Sequence, residues 1–504
     1  LSQGSFVADA LYYYGDDTPN FVFLKEEVTD LDPGYDWDKC SLGVLLDRVK
    51  IKDGRIVLPD GMTYSVLVLP EEKAINIMLM RKLEKLVRDG MILIGPKPER
   101  STGLAEYPDA DREVSEIAGR LWGNIDGENT KVNNYGKGKV VWGQSPGEVL
   151  KSSGPGPDFT FSSAGDSTFI EYIHRTTGKE EIYFVVNRLA RYGIYDTKYR
   201  YLTDLPDRYE EVVCKFRVSG KIPELWDPMS GEIKKPAIYI DDGQFTYVPI
   251  HLNPEGSVFV VFSPGQTGNH VTRVVKDGKE IFPVPGLAGS LFPAVDCYFK
   301  ENNIVARFSQ PGNYTLRFSD GRELSFNEAE PYSEIPISSS AEIKFLNRWG
   351  PEEMITINEF QSWTDFKDKR IKYYSGPAEY LIFFNIDRSI TKDRKIYCDL
   401  GNVQEIAAVW INDQFAGVTW IAPFVLDISS FVQEGNNKLK IRVVNSWVNR
   451  LVGDGDLPPE QRYTRTNILK FSGEDRETFL RKSGLTDNLK IITVREIELK
   501  NVRD

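Results

Sequence analysis

The sequence predicts a multidomain α/β-plus-β chain, in which an open parallel sheet is followed by β-sandwiches. Three observations carry this expectation. Residues 1–150 alternate apolar strand-like runs with apolar residues at helical spacing, as doubly wound sheets do. From Thr168 onward the runs become short period-two alternations bounded by Asn, Asp, Gly and Pro, as in antiparallel sandwiches. A chain of 504 residues is also too long for one hydrophobic core, so about three to four domains are expected.

Taken in order, FVADALYYYG is the first strand, and a polar loop from Asp16 to Lys39 follows it. GVLLD reads as a short apolar strand, and RVKIKDGRIVLPDG as a hairpin turning at Asp53-Gly54. YSVLVLP is a buried strand. Ile75, Met78, Leu79, Leu83, Leu86 and Val87 then share a helical face, with Gly90 placed to end that helix. MILIGP, ADREVSEIAGRLWG and KVVWG continue as strand, helix and strand, completing residues 1–150. KSSGPGPDFTFSSAG reads as a linker. Residues 151–264 are expected to form a sandwich, 265–337 a small β-module or connector, and 338–504 a second sandwich.

Composition removes several function classes. The net charge of −12 and the lack of a basic cluster argue against nucleic acid. No apolar run is long enough to span a bilayer. Cys40, Cys214, Cys297 and Cys398 are far apart and make no metal or redox pair, so each is simplest as a small buried residue. The chain starts LSQGSFVADA, without initiator methionine or signal peptide, which favours a mature product or a piece of something longer.

Catalytic signals are sparse. His174, His251 and His270 lie in separate β-segments, as strand residues would, and no Ser-His-Asp motif points to them. Ligands often sit at the carboxyl ends of parallel strands. GPKPERSTG is there, but it is neither a dinucleotide fingerprint nor a phosphate loop, and no nucleophile elbow follows YSVLVLP. A structural role is therefore expected for that sheet. The better binding candidate is the end of the second sandwich. Trp420, beside the Ile-Ala-Pro corner, is expected at an exposed rim, more so than Trp410 between Val409 and Ile411. Trp447, Asn449 and Arg450 follow on the last strand of that module, where an aromatic ring and polar groups suit a sugar. The two polar residues could equally satisfy loop backbone. Asp454 and Asp456 are weak candidates for a metal, since DGDLP lacks the rest of a calcium loop.

The run VWINDQFAGVTWIAPFVLDISSFVQEGNNKLKIRVVNSW resembles the galactose-binding-like jelly roll of large glycoside hydrolases. Gly417, Pro423-Phe424, Asp427-Ile428, Gly435, Asn437, Leu439 and Asn445 match its pattern, and Asn412-Asp413 stands where Asn-Gly is usual. FVADALYYYGDDTPN, DGRIVLPDGMTYSVLVLPE, PELWDPMSGEI and NSWVNRLVGD narrow the resemblance to the α-L-rhamnosidases of glycoside hydrolase family 106. It implies a Rossmann-like, amidotransferase-like open sheet, then sandwiches ending in the jelly roll. It also implies a periplasmic or secreted enzyme that cleaves rhamnose-containing glycans with inversion, assisted by calcium. An inverting pair of carboxyls flanks a water at about 6.5–9.5 Å, and the family carries it on a (β/α)8 barrel of ~250 residues. No such barrel is predicted here, so no catalytic residue transfers. The expectation is the accessory C-terminal part of such an enzyme, partnered by the barrel of the same protein. The alternative is a free-standing, non-catalytic carbohydrate-binding protein.

Overall fold

The computed structural model describes residues 2–16, 25, 28–165, 168–188, 209–266, 268–285, 290–301, 303–337, 340–387, 392–455, 457–468 and 471–499, and these are mostly β. Five strands run parallel: β1 (Ala10–Tyr13), β2 (Trp37–Cys40), β3 (Val66–Val68), β4 (Ile92–Ile94) and β5 (Gly138–Val141). Their spatial order is β2-β1-β3-β4-β5, with Val132–Tyr135 antiparallel at the edge. Strand alternation divides their side chains between two faces. Leu11, Leu67, Leu93 and Val140 share one core with α1 (Ile77–Asp89) and α2 (Asp109–Trp122). Ala10, Val66, Val68, Ile94 and Val141 share the other with α3 (Pro146–Ser153). Burial on both faces accounts for the unbroken apolar strands in the sequence.

Local chemistry sets the helix limits. The Asn76 side chain accepts from Met78 N at 2.9 Å to start α1, and Gly90, at φ 129°, ends it. Two expectations need correction. GVLLD lies in a helix, Leu42–Asp47, behind Ser41 at its N-cap, because a short apolar run carries no period that separates strand from helix. KSSGPGPDFTFSSAG is no linker. Its start closes α3, which a reciprocal Ser145–Glu148 capping box opens, and Phe159–Ser163 pairs with Glu210–Phe216.

Phe159–Ser163, Glu210–Phe216 and Thr246–Leu252 form one layer of the first sandwich. Ile170–Thr176, Glu181–Asn187, Ser257–Pro264 and Lys221–Trp226 form the other. Phe159, Tyr183, Phe216 and Phe262 fill the space between them. The second layer continues through Ile233–Pro236 to Val295–Lys300, Asn303–Phe308, Lys490–Leu499 and Arg394–Asp399. Beyond it, Ala341–Phe345, Pro377–Ile386, Gly435–Val444, Ile406–Ile411 and Gln414–Thr419 close over a core that holds Trp363, Tyr374 and Tyr380. The Asn412-Asp413 turn lies in the left-handed region at φ 49° and 64°, as a two-residue hairpin requires.

The first sandwich docks on the amino edge of the parallel sheet through buried charge. Asp9, fully buried just before β1, meets Arg217 Nη2 at 3.0 Å, and the same nitrogen lies 3.2 Å from Asp158. Asp158 also receives Tyr183 OH at 3.0 Å and lies 2.9 Å from His174 Nδ1. Burial pushes Asp9 up to about 6, with Arg217 opposing it, so the carboxylate depends on its guanidinium. Arg217→Ala is expected to destabilise the chain by about 3–5 kcal/mol in urea unfolding at neutral pH, by stranding Asp9 and Asp158. Arg217→Lys should recover part of that loss.

Candidate functional site

The structure separates the sequence-predicted site residues into two groups. Trp420 (57% exposed) and Trp447 (59% exposed) do face solvent. Trp420 follows the strand Gln414–Thr419 and leads into the corner at Ala422-Pro423. Trp447 meets Trp349 edge-on, with centroids 5.0 Å apart. Trp410 is half-buried on the outer face of its sheet, because alternation sends Val409 and Ile411 into the core; Lys440 Nζ lies 4.4 Å from its ring centroid.

Asn449 and Arg450 are buried, and their expected role at a sugar surface is corrected. The Asn449 amide donates to Arg481 O at 2.8 Å and Ser483 Oγ at 2.9 Å, and its oxygen accepts from Arg481 N at 2.8 Å. Asn445 likewise donates to Tyr374 O and Ser483 Oγ and accepts from Gly376 N. Arg450 pairs with Asp454 at 3.1 Å beneath the ring of Tyr463. These residues knit α4 (Val448–Asp454) to the segments at 374–376 and 481–483, which is the backbone-satisfying role polar loop residues often take.

Asp454 is likewise engaged by the protein. Its Oδ2 accepts from Thr464 N and Oγ1, both at 2.7 Å, while Oδ1 faces the guanidinium, so the carboxylate is occupied and its charge balanced. Asp456 lies outside the described residues. Among the described residues no group of three or more His, Cys, Asp and Glu converges as a metal site.

Two cavities flank the connector, one where it meets the last sandwich and one where it meets the first. The outer one, about 840 Å³, sits beneath the Ala422-Pro423 corner and presents Glu334, Asp399, Asp487 and Lys490. Lys490 Nζ is 2.9 Å from Glu334 and 3.7 Å from Asp399. The Tyr332 hydroxyl and then Lys490 hold the Glu334 carboxyl below its usual range, so Glu334 supplies charge and hydrogen-bond acceptors rather than a proton.

The inner cavity, about 890 Å³, contains Glu211, His251, Asp296, Lys234 and Arg307 among apolar walls. Its two carboxyls are pushed apart. Burial lifts Glu211 to about 7 against one backbone N–H, from Ala294 at 3.2 Å. Burial opposes the charge on Asp296 too, yet Lys234 and Arg307 hold it below its usual range. Burial brings His251 down to about 4, so its ring is neutral. The two carboxyls thus share one cavity with their proton affinities pushed in opposite directions. Sequence reasoning missed both residues. Glu211 is one of two adjacent glutamates opening a strand, and alternation puts it with Val213 on the face turned away from the sandwich core, so the sequence carried no signal for it.

A family model described as alpha-L-rhamnosidase, of glycoside hydrolase family 106, matches residues 1–240. A rhamnosidase from Novosphingobium sp. PP1Y superposes with a TM-score of 0.72 at 26% identity, covering 97% of this chain and 39% of that one. The resemblance is to glycoside hydrolases. A putative beta-glucuronidase of Formosa agariphila is 27% identical, over 91% of this chain and 51% of the relative. A beta-galactosidase of Clostridium acetobutylicum is 25% identical over 28% of this chain and 16% of its own. The chain thus spans about half of the first relative and less of the others. The family match begins at residue 1 and ends in the first sandwich, which counts against the expectation that this chain is a C-terminal part lacking the family's catalytic region.

Glu211 gives this region a pH signature. A carboxyl whose pKa is raised from 4.5 to about 7 binds more protons folded than unfolded, so its contribution falls as pH rises from about 4.5 and levels off above about 7. Glu211→Gln should flatten that slope and stabilise the chain at pH 8 by about 1–3 kcal/mol relative to wild type, read by urea unfolding at pH 5 and pH 8.

Proposed function

We propose that the chain is part of a glycoside hydrolase acting on α-L-rhamnosides in plant polysaccharides or glycosides. In this reading the open sheet of residues 1–150 and the β-rich segments 151–264, 265–337 and 338–504 buttress a catalytic domain supplied by the rest of the enzyme. The last segment, a galactose-binding-like jelly roll, offers Trp420 and Trp447 toward carbohydrate. The observation that carries the reading is the extent of the likeness to the rhamnosidase, 97% of this chain at a TM-score of 0.72. The fold supports the supporting role. Among the described residues the parallel strands form an open sheet of five, with no closed (β/α)8 barrel. A periplasmic or secreted location belongs to the same proposal, as does the barrel as partner.

The pair Glu211 and Asp296 favours a second reading, in which the chain itself hydrolyses a glycoside. One assay separates the two. The purified 504-residue chain is expected to release no p-nitrophenol from p-nitrophenyl α-L-rhamnoside above the blank. Release in proportion to protein, lost in Glu211→Gln and Asp296→Asn, would establish the second reading instead. A free-standing binding protein would show affinity for rhamnose-containing oligosaccharide and have no catalytic domain encoded in frame.

Trp420→Ala is expected to weaken binding of a rhamnose-containing oligosaccharide by ~1 kcal/mol, as loss of an exposed aromatic platform does, with the unfolding midpoint unchanged. Calorimetric titration of wild type and variant checks it, and equal affinities would remove Trp420 from the sugar surface.

A further inference from the structure

A third cavity, about 590 Å³, lies at the carboxyl edge of the parallel sheet. It is lined by the residues that leave β1 (Tyr12 to Tyr14), β3 (Val68 to Glu71), β4 (Ile94, Gly95) and β5 (Trp142 to Ser145). In the order β2-β1-β3-β4-β5 the chain leaves β1 toward β2 on one side and returns to β3 on the other. The connections therefore diverge between β1 and β3, and the crevice this opens is where open α/β sheets bind ligands. The volume suits a small molecule.

The lining chemistry selects the kind of molecule. A nucleotide or other phosphate would need backbone N–H groups or a helix amino end turned toward it. The helix whose amino end lines this cavity is α3, and its first N–H groups are taken by the protein: Ser145 N donates to Glu148 Oε2 at 2.9 Å, Gly147 N to Asp30 O at 3.3 Å and Glu148 N to Ser145 Oγ at 3.2 Å. The anion position is filled by the protein. Asp30 and Glu71 add further negative charge to the lining, against the single cation Lys39, whose Nζ lies 5.4 Å from the Tyr14 ring centroid. What remains is a set of rings (Tyr12, Tyr14 and Trp142) beside carboxylate and amide oxygens (Asp30, Glu71 and Gln144). Rings stack on the C–H faces of a pyranose, and carboxylates accept from its hydroxyls.

We propose that this cavity is a binding site for a neutral saccharide, built by the α/β part alone. The site stands on the chemistry of its own lining and does not require that the chain be a hydrolase. Sequence reasoning passed over it because it looked for a phosphate loop or a nucleophile, and aromatic recognition has no such motif.

Saturation-transfer NMR on the 504-residue chain with L-rhamnose, D-galactose, D-glucuronate and ADP tests the proposal. One or both neutral sugars should bind, and the two anions should bind more weakly or not at all. Tyr14→Ala and Glu71→Gln, both at partly or fully exposed positions, should each weaken the sugar by about tenfold, equal to ~1.4 kcal/mol. Trp142 packs partly on the core, so Trp142→Phe replaces truncation as a third variant and should reduce binding while the fold is kept. Failure of both neutral sugars to bind, tighter binding of ADP, or sugar binding undiminished in all three cavity variants would overturn the assignment.

Discussion

A carboxylate as fully buried as Asp9 is tolerable only beside a cation, and Arg217 comes from the other side of the junction. The relation between the parallel sheet and the first sandwich follows from that requirement. Around the charges, backbone links reinforce one docking. Asp158 N donates to Gly34 O at 2.7 Å, Val7 N donates to His174 O at 3.0 Å, and Ser5–Phe6 adds to the edge of Ile170–Thr176. Two apolar surfaces could slide past one another. A guanidinium shared by two buried carboxylates has only one low-energy placement.

All of these contacts gather before β1 and β2, at the amino edge of the sheet. Among the described residues none of the first sandwich lines the crevice at the carboxyl edge, which keeps exposed walls at Asp30, Glu71 and Gly143. The charge cluster and the saccharide cavity are therefore consequences of one orientation, at opposite ends of the same five strands.

Much of the architecture was legible because it depends on local periodicity. The parallel strands, the helix behind Asn76 and the hairpins at Asp53-Gly54 and Asn412-Asp413 all follow from residues near in sequence. The failures share a cause. GVLLD was too short to show a period, and the KSSGPGP stretch has the composition of a linker although Asp158 and Phe159 within it are buried. Asn449 and Arg450 looked like surface recognition groups because sequence carries no record of Ser483, Arg481 or Asp454 closing around them. Glu211 and Asp296 became noticeable only once distant segments enclosed them, since a pKa shift is a property of surroundings.

The strand Lys490–Leu499 has a consequence for how the chain is made. It pairs with Asn303–Phe308, Tyr332–Pro336 and Arg394–Asp399, and the Tyr298 hydroxyl donates to Glu496 across 198 residues. Until it emerges from the ribosome, each of those partners presents a bare edge of unpaired N–H and C=O groups. The parallel sheet and first sandwich can complete themselves early in synthesis, but the middle of the molecule cannot. Within these residues, the segments before Asn303 can shelter themselves, while those after it stay adhesive until the shared strand Lys490–Leu499 arrives.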